Sequence, residues 1–241
     1  MRDVVIASYV RSAQSRCRPN DPDRDWLFNI RTDDLLAKLL PEAIHRAGLE
    51  AKDVDDFIMG CAQAVGENFT LGGRGPHLLA NLDKRTSCKQ IDEQCGSAMA
   101  ALQMAFMEIS MGYADVVLCG GMEHMGRIPM GGDGKIELNL RMFSDPSLLH
   151  WDFMTAMNMG LTAEKLADMG YSREEMDAWG ARSHQLAYKA QRAGFFDDEI
   201  MPVDVRQGDG SVMTVDTDQA VRADTTVEDM AKLKTVFKKN G

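Results

Sequence analysis

The segment Ser97–Met111, SAMAALQMAFMEISM, is apolar on nearly every side. From Ala98 to Met111 its only polar side chains are Gln103, Glu108 and Ser110. A helix at a protein surface carries one apolar stripe and one polar face. A helix without a polar face has to be covered twice, by a sheet on one side and by a further layer on the other. The segment therefore predicts a three-layer or five-layer sandwich.

The sequence around it supplies the sheet. Asp3–Val10, DVVIASYV, is short and rich in β-branched residues and reads as a strand. Asp33–Leu49 repeats apolar residues at helical spacing between acidic residues and Gly48, with Pro41 as a break or kink. Asp55–Gln63 reads as a strand, Gly72–Leu82 as a short helix, Thr86–Asp92 as a strand, and Asp115–Glu123 as a strand ending at a Gly-Gly turn. Strands alternating with helices imply a largely parallel sheet with helices packed on it.

After Met122 the texture changes. Glycines, prolines and weak periodicity suggest a long surface excursion, followed by a mostly helical stretch over Leu161–Phe196. Thr162 and Ser172 stand at two expected helix starts, and Ser172 with Glu175 has capping-box spacing. The residues from Asp198 to Asp218 read as two strands joined by a turn at Gly208–Gly210, and the last residues as a short basic helix.

Bulk properties narrow the function. The net charge of -10 argues against broad nucleic-acid or membrane-surface binding, and the basic run Lys232–Lys239 reads as a solvated helix face. No stretch has the apolar length of a membrane span. The N-terminal residues lack the apolar core of a signal peptide. The five cysteines, Cys17, Cys61, Cys88, Cys95 and Cys119, form no CxxC pair, which suits free thiols in a reducing, cytoplasmic setting. The five histidines are isolated, so no metal site is expected. The eighteen methionines read mostly as adaptable core filler, with a pocket for a flexible apolar substrate as the sharper alternative.

Cys95 follows a predicted strand and precedes the apolar helix, as a nucleophile does at a strand-to-helix elbow, and Gly96 permits the turn. A helix N-terminus favours a thiolate and offers N–H groups to an oxyanion. Buried cysteine is also common as a small hydrophobe, and spacing alone leaves both readings open. Cys61 and Cys119 read as core, and Cys88 as part of a strand. Among the histidines only His124 lies just past a strand end, and none carries a persuasive signal as a base for Cys95.

Taken together, QCGSAMAAL around Cys95, CGGMEHMGRIPM from Cys119, the run MGLTAEKLADMGYSREEMDAWGARSHQLAYKAQRAGFFDDEIMPV and VRADTTVEDMAKLKTVFKKNG resemble the thiolase family, the acetyl-CoA acyltransferases and 3-ketoacyl-CoA thiolases. The resemblance covers the whole chain and is closer to the degradative, fatty-acid-oxidation type. It implies an α/β fold: a thiolase-like layered sandwich whose N-terminal half has a mostly parallel sheet and an inserted, mainly helical loop domain. The implied division is 1–122 as core and 123–241 as the CoA-binding loop domain. The resemblance further implies that the core's closing strand and the C-terminal catalytic domain are absent.

The implied chemistry is cleavage of a 3-ketoacyl-CoA by CoA through an acyl-cysteine at Cys95, or the reverse condensation. Met159, Asn158 and Arg222 match positions that contact CoA. Coenzyme A and acyl-CoA would be substrates, with no permanently bound cofactor. The implied partners are copies of the chain in a homo-oligomer, a complementary thiolase C-terminal chain, or both. Ala98 stands where the family has Gly, and Asn158 where many relatives have His. Alone, the chain is expected to be inactive. The alternative is a non-catalytic half that docks a complementary chain. A related condensing enzyme is disfavoured by the loop-domain match.

Overall fold

The structure is a computed structural model and describes residues 2–239. Two compact units divide the chain. The first comprises residues 1–136 and 196–220, the second 137–195 and 221–241.

In the first unit, α1 (Thr32–Arg46), β1 (Asp56–Gly60), α2 (Arg74–Leu79), β2 (Ser87–Ile91), α3 (Ser97–Met111) and β3 (Val117–Gly121) follow in turn. The strands form a parallel sheet in the order β2-β1-β3, with Gly60 opposite both Ile91 and Gly121. β1 is buried at all five positions, as a central parallel strand covered on both faces must be. Its side chains alternate between two cores. Phe57 and Met59 pack with Leu36 and Leu40 of α1 and with Cys61 and Met122, whereas Ile58 packs with Ala101 and Ala105 of α3.

A second sheet in this unit is the antiparallel hairpin β4 (Val203–Arg206) and β5 (Val212–Val215). Its inward residues Val203, Val205 and Val215 share a core with Ala13, Leu27, Leu35 and Ile200.

The second unit is helical: α4 (Arg141–Ser144), α5 (Phe153–Met157), α6 (Met159–Ala167), α7 (Arg173–Arg192) and α8 (Val227–Ala231). Ser172 and Glu175 form the expected capping box at the start of α7. Arg173 pairs with the buried Asp177 at 2.8 Å and donates from Nη2 to the carbonyls of Met230 and Leu233. None of the helices among the described residues is long and apolar enough to cross a membrane.

Four local expectations fail. Asp3–Val10 forms no strand: it runs extended beside α1, with Val5, Ile6 and Tyr9 exposed. Its sequence favours a strand, but its nearest ladder contact is one bridge from Arg11 to Ile200, and a groove of about 150 Å³ lies between Val10–Ser12 and β3. The segment thus leaves the free edge of β3 unpaired, with that groove between them. Pro41 does not split α1, whose buried residues Leu36, Leu40 and Ile44 hold both halves on the core. The helix expected from Thr162 begins at Met159, because the Asn158 side chain accepts from the N–H groups of Gly160 and Leu161. Lys165, a donor only, cannot close a box with Thr162. The terminal basic helix is cut to Val227–Ala231, since Arg173 takes the carbonyls of Met230 and Leu233.

Among the described residues α3 is covered on one side only. Ser97, Ala101 and Ala105, spaced four apart, are buried against the sheet, whereas Met99, Leu102, Phe106, Met107 and Met111 are exposed. Small residues on the inner stripe let the helix lie close to β1. Among the described residues nothing covers the large residues on the other stripe.

Candidate active site

The C-terminal ends of parallel strands are where α/β folds hold their ligands. β1, β2 and β3 all end beside the first turn of α3, and two glycines make that approach possible. A Cβ on Gly60 would lie 2.5 Å from the backbone N of Ala98 and 2.6 Å from the carbonyl O of Ser97. A Cβ on Gly121 would lie 2.9 Å from the Gly60 carbonyl O and 3.0 Å from the Ala98 Cβ.

Five residues join β2 to α3, and Cys95 is among them. It is exposed and its thiol is free. Gly96 is the N-cap of α3, with φ -84. The residue that takes the sharp turn is instead Gln94, with φ 49. A left-handed backbone at a non-glycine residue costs of order 1–3 kcal/mol and persists only where its surroundings hold it. Here the Gln94 N–H and its Nε2 both donate to Asp92 Oδ1, at 2.9 and 3.1 Å. Nε2 also reaches the Ala62 carbonyl at 3.4 Å. The hydroxyl of Ser97 donates to the Gln94 carbonyl at 2.6 Å and accepts from the Glu93 N–H at 2.9 Å. Gly96 has a steric role, because a Cβ there would lie 3.2 Å from the Glu93 carbonyl O.

A carboxylate that sequence reasoning noted only as part of a motif organises the neighbouring loop. Glu123 accepts from the Ala62 N–H at 2.9 Å and from Asn68 Nδ2 at 2.8 Å. It also faces Cys61 Sγ at 3.7 Å. Burial first, and this carboxylate second, push the Cys61 thiol up to about 12. Asn68 is fully buried and went unnoticed in the sequence, where nothing but its place in GEN marks it.

Among the described residues no histidine is hydrogen-bonded to Cys95. His124 is buried, with Nε2 3.0 Å from the Leu27 carbonyl. Facing an acceptor, that nitrogen donates. His77 is fully buried, and burial lowers its pKa. His45 is exposed near the end of α1. His150 and His184 lie in the second unit.

The residues expected to contact CoA are all in that second unit. Asn158 caps α6, and Met159 follows it as an exposed side chain. Arg222 is exposed, and its N–H donates to His184 Nδ1 at 3.3 Å. Among the described residues no group of three or more His, Cys, Asp or Glu side chains is placed to hold a metal ion.

The family model for the thiolase N-terminal domain matches residues 14–241. The chain belongs to the thiolase family. Its relatives match it along its entire length. It is 35% identical over 242 residues to the 3-ketoacyl-CoA thiolase of Chromohalobacter salexigens, covering 100% of this chain and 58% of the relative. It is 38% identical over 242 residues to that of Saccharophagus degradans, covering 100% of this chain and 59% of the relative. The crystal structure of the Bacillus anthracis acetyl-CoA acetyltransferase superposes with a TM-score of 0.80 at 31% identity, covering 98% of this chain and 59% of that one. The chain thus spans less than two thirds of the length of these thiolases.

Proposed function

We propose that this chain is the N-terminal part of an acyl-CoA acyltransferase in which Cys95 carries the acyl group. The observation that carries the reading is the exposed Cys95 thiol at the head of α3, beside the ends of three parallel strands. The names of its relatives point the same way. The Cys95 thiolate attacks the 3-keto carbon of a 3-ketoacyl-CoA, and the bond between C2 and C3 breaks. The departing carbon takes a proton and leaves as acetyl-CoA. The thiol of a second CoA then attacks the acyl-cysteine thioester, gives up its proton and releases Cys95. N–H groups at the head of α3 are suited to hold the oxyanion of each tetrahedral intermediate. Residues 1–122 are the core in this reading and 123–241 the CoA-binding region, with Asn158, Met159 and Arg222 as contacts. In this reading a complementary chain supplies the base and acid, since among the described residues no histidine is hydrogen-bonded to Cys95. Fatty-acid β-oxidation in the cytoplasm, within a homo-oligomer, is the setting that fits.

The test uses the chain alone and with a candidate complementary C-terminal half, given acetoacetyl-CoA and CoA. The expected result is an acyl adduct at Cys95 by mass spectrometry and thiolysis by the pair. Absence of any adduct in the pair, or undiminished thiolysis in Cys95→Ser, would sink the reading.

One observation favours a second reading, a non-catalytic half that docks a complementary chain. The outer stripe of α3, with Met99, Leu102 and Phe106, is exposed, and contiguous apolar surface of that kind marks interaction sites. Binding of the C-terminal half without acylation of Cys95 would select it.

A further inference from the structure

We propose that Glu123 is a positioning residue for Cys95, acting through the loop after β1. The proposal rests on the reading of Cys95 as acyl acceptor. The Glu123 carboxylate holds the Ala62 N–H at 2.9 Å and Asn68 Nδ2 at 2.8 Å. The carbonyl of the same Ala62 accepts from Gln94 Nε2 at 3.4 Å. Gln94 holds the left-handed backbone that sets Cys95 at the head of α3. A continuous chain of bonds therefore runs from Glu123 through Ala62 to the residue before the thiol. Gly60 and Gly121, on the strands that lead into Ala62 and Glu123, are pressed against the same helical turn, so slack in the loop is passed on to the elbow.

The polarity explains the residue type. Two N–H donors converge on the side chain, and an acceptor-only carboxylate satisfies both without any rearrangement. The Asn68 Oδ1 is buried without a partner. A glutamine at position 123 can therefore keep both bonds if the Asn68 amide turns over, its own NH₂ then donating to Oδ1. An alanine there leaves the Ala62 N–H and the Asn68 amide unpaired.

The experiment takes the 241-residue chain as wild type, Glu123→Ala, Glu123→Gln and Gln94→Leu, and follows amide hydrogen exchange by NMR. In Glu123→Ala, exchange at Ala62 and at Cys95–Ser97 rises roughly tenfold, the scale of one lost hydrogen bond, while the amides of α1 keep the wild-type rate. Glu123→Gln restores both sites. Gln94→Leu frees Cys95–Ser97 and leaves Ala62 protected. With the complementary half present, Glu123→Ala lowers kcat roughly tenfold at unchanged KM, and Glu123→Gln recovers it. The proposal is overturned if Cys95–Ser97 exchange at the wild-type rate in Glu123→Ala while Ala62 is freed. It is equally overturned if Glu123→Gln behaves like Glu123→Ala. Should Glu123→Ala fail to fold, Gln94→Leu decides, and wild-type exchange at Cys95–Ser97 in that variant overturns the proposal. A wild-type pair that never acylates Cys95 defeats the functional reading, whereas the exchange arm still decides the positioning.

Discussion

Ala98 and Gly121 share one space. A Cβ on Gly121 would come within 3.0 Å of the Ala98 Cβ, so the methyl at the second residue of α3 fits because β3 ends in a residue without a side chain. This position departs from the glycine expected by resemblance, and the departure is accommodated across the contact. Gly121→Ala is expected to cost about 1–3 kcal/mol by overpacking. Ala98→Gly in the same chain should return part of that cost, after allowing ~1 kcal/mol for glycine in a helix. Urea unfolding of the two single variants and the double variant measures the coupling, and additivity within about 0.3 kcal/mol would show that the residues do not compete. Gly60→Ala should be worse than Gly121→Ala, because its Cβ meets backbone that cannot rotate away.

Asn158 caps α6 through two backbone N–H groups. Asn158→Ala should lower stability by about 1 kcal/mol, and Asn158→Asp should retain it, since either oxygen serves as the cap. A thermal melt of the second unit's helical signal distinguishes them. An alanine variant that melts like wild type would show that the cap contributes nothing.

Arg11 pairs with Asp218 through two bonds of 2.7 and 2.9 Å and with Glu199 at 2.7 Å. Burial raises the Asp218 carboxyl, but the Arg11 guanidinium and the Gln14 N–H outweigh it and hold the carboxyl below its ordinary 3.8. A folded-state value below the unfolded one stabilises above the unfolded pKa, and that stability is lost as pH falls through the folded value. Arg11→Met removes the largest of the influences that oppose burial, so the acid limb of the stability curve should begin at higher pH. At neutral pH the loss should be about 1–2 kcal/mol, moderated by the partial exposure of Arg11. Denaturant midpoints between pH 3 and 7 provide the measurement.

Cys61 titrates in the opposite sense. Its thiol is held up to about 12 from an ordinary 9.0, so the unfolded chain loses this proton first. Stability is then intact below the unfolded value and declines as pH rises through the window between the two. Cys61→Ala should flatten that alkaline limb, with Cys17, Cys88 and Cys119, also raised by burial, contributing in the same direction. In the native chain iodoacetamide at mildly alkaline pH should modify the exposed Cys95 and spare Cys61. Equal labelling of the two by peptide mass mapping would contradict the structure.

Phe106 and Leu102 lie on the exposed stripe of α3, and Ala101 on the buried one. Phe106→Glu should change stability by about 0.5 kcal/mol or less and reduce self-association in light scattering. Ala101→Leu, at a position with no free volume, should cost about 1–3 kcal/mol. A large loss from Phe106→Glu in the isolated chain would mean that this stripe is covered.

Much of the first unit was legible from local signals. The strands around Phe57, Cys88 and Cys119, the apolar helix and the hairpin at Gly208–Gly210 follow from period-2 and period-3.6 patterns and from turn residues, all of which act over a few neighbours. Asp3–Val10 failed because its docking is set by contacts with α1, such as the Ser8 hydroxyl on the Ala43 carbonyl, and not by its own β propensity. Thr162 failed because Asn158, four residues earlier, offered a better cap.

The candidate site divides in the same way. Cys95 between a strand and a helix is visible as a pattern, because nucleophile, turn and helix are adjacent in sequence. That Gln94 rather than Gly96 takes the left-handed turn depends on Asp92 and Ala62 holding it. The role of Glu123 depends on Ala62 and Asn68, far away along the chain. Sequence alone determined the order of strands and helices, the place of the thiol and the family, because these are written in neighbouring residues. Tertiary structure decided which stripe of α3 is covered, which histidines are engaged and what braces the elbow, because those rest on contacts between segments that no local pattern encodes.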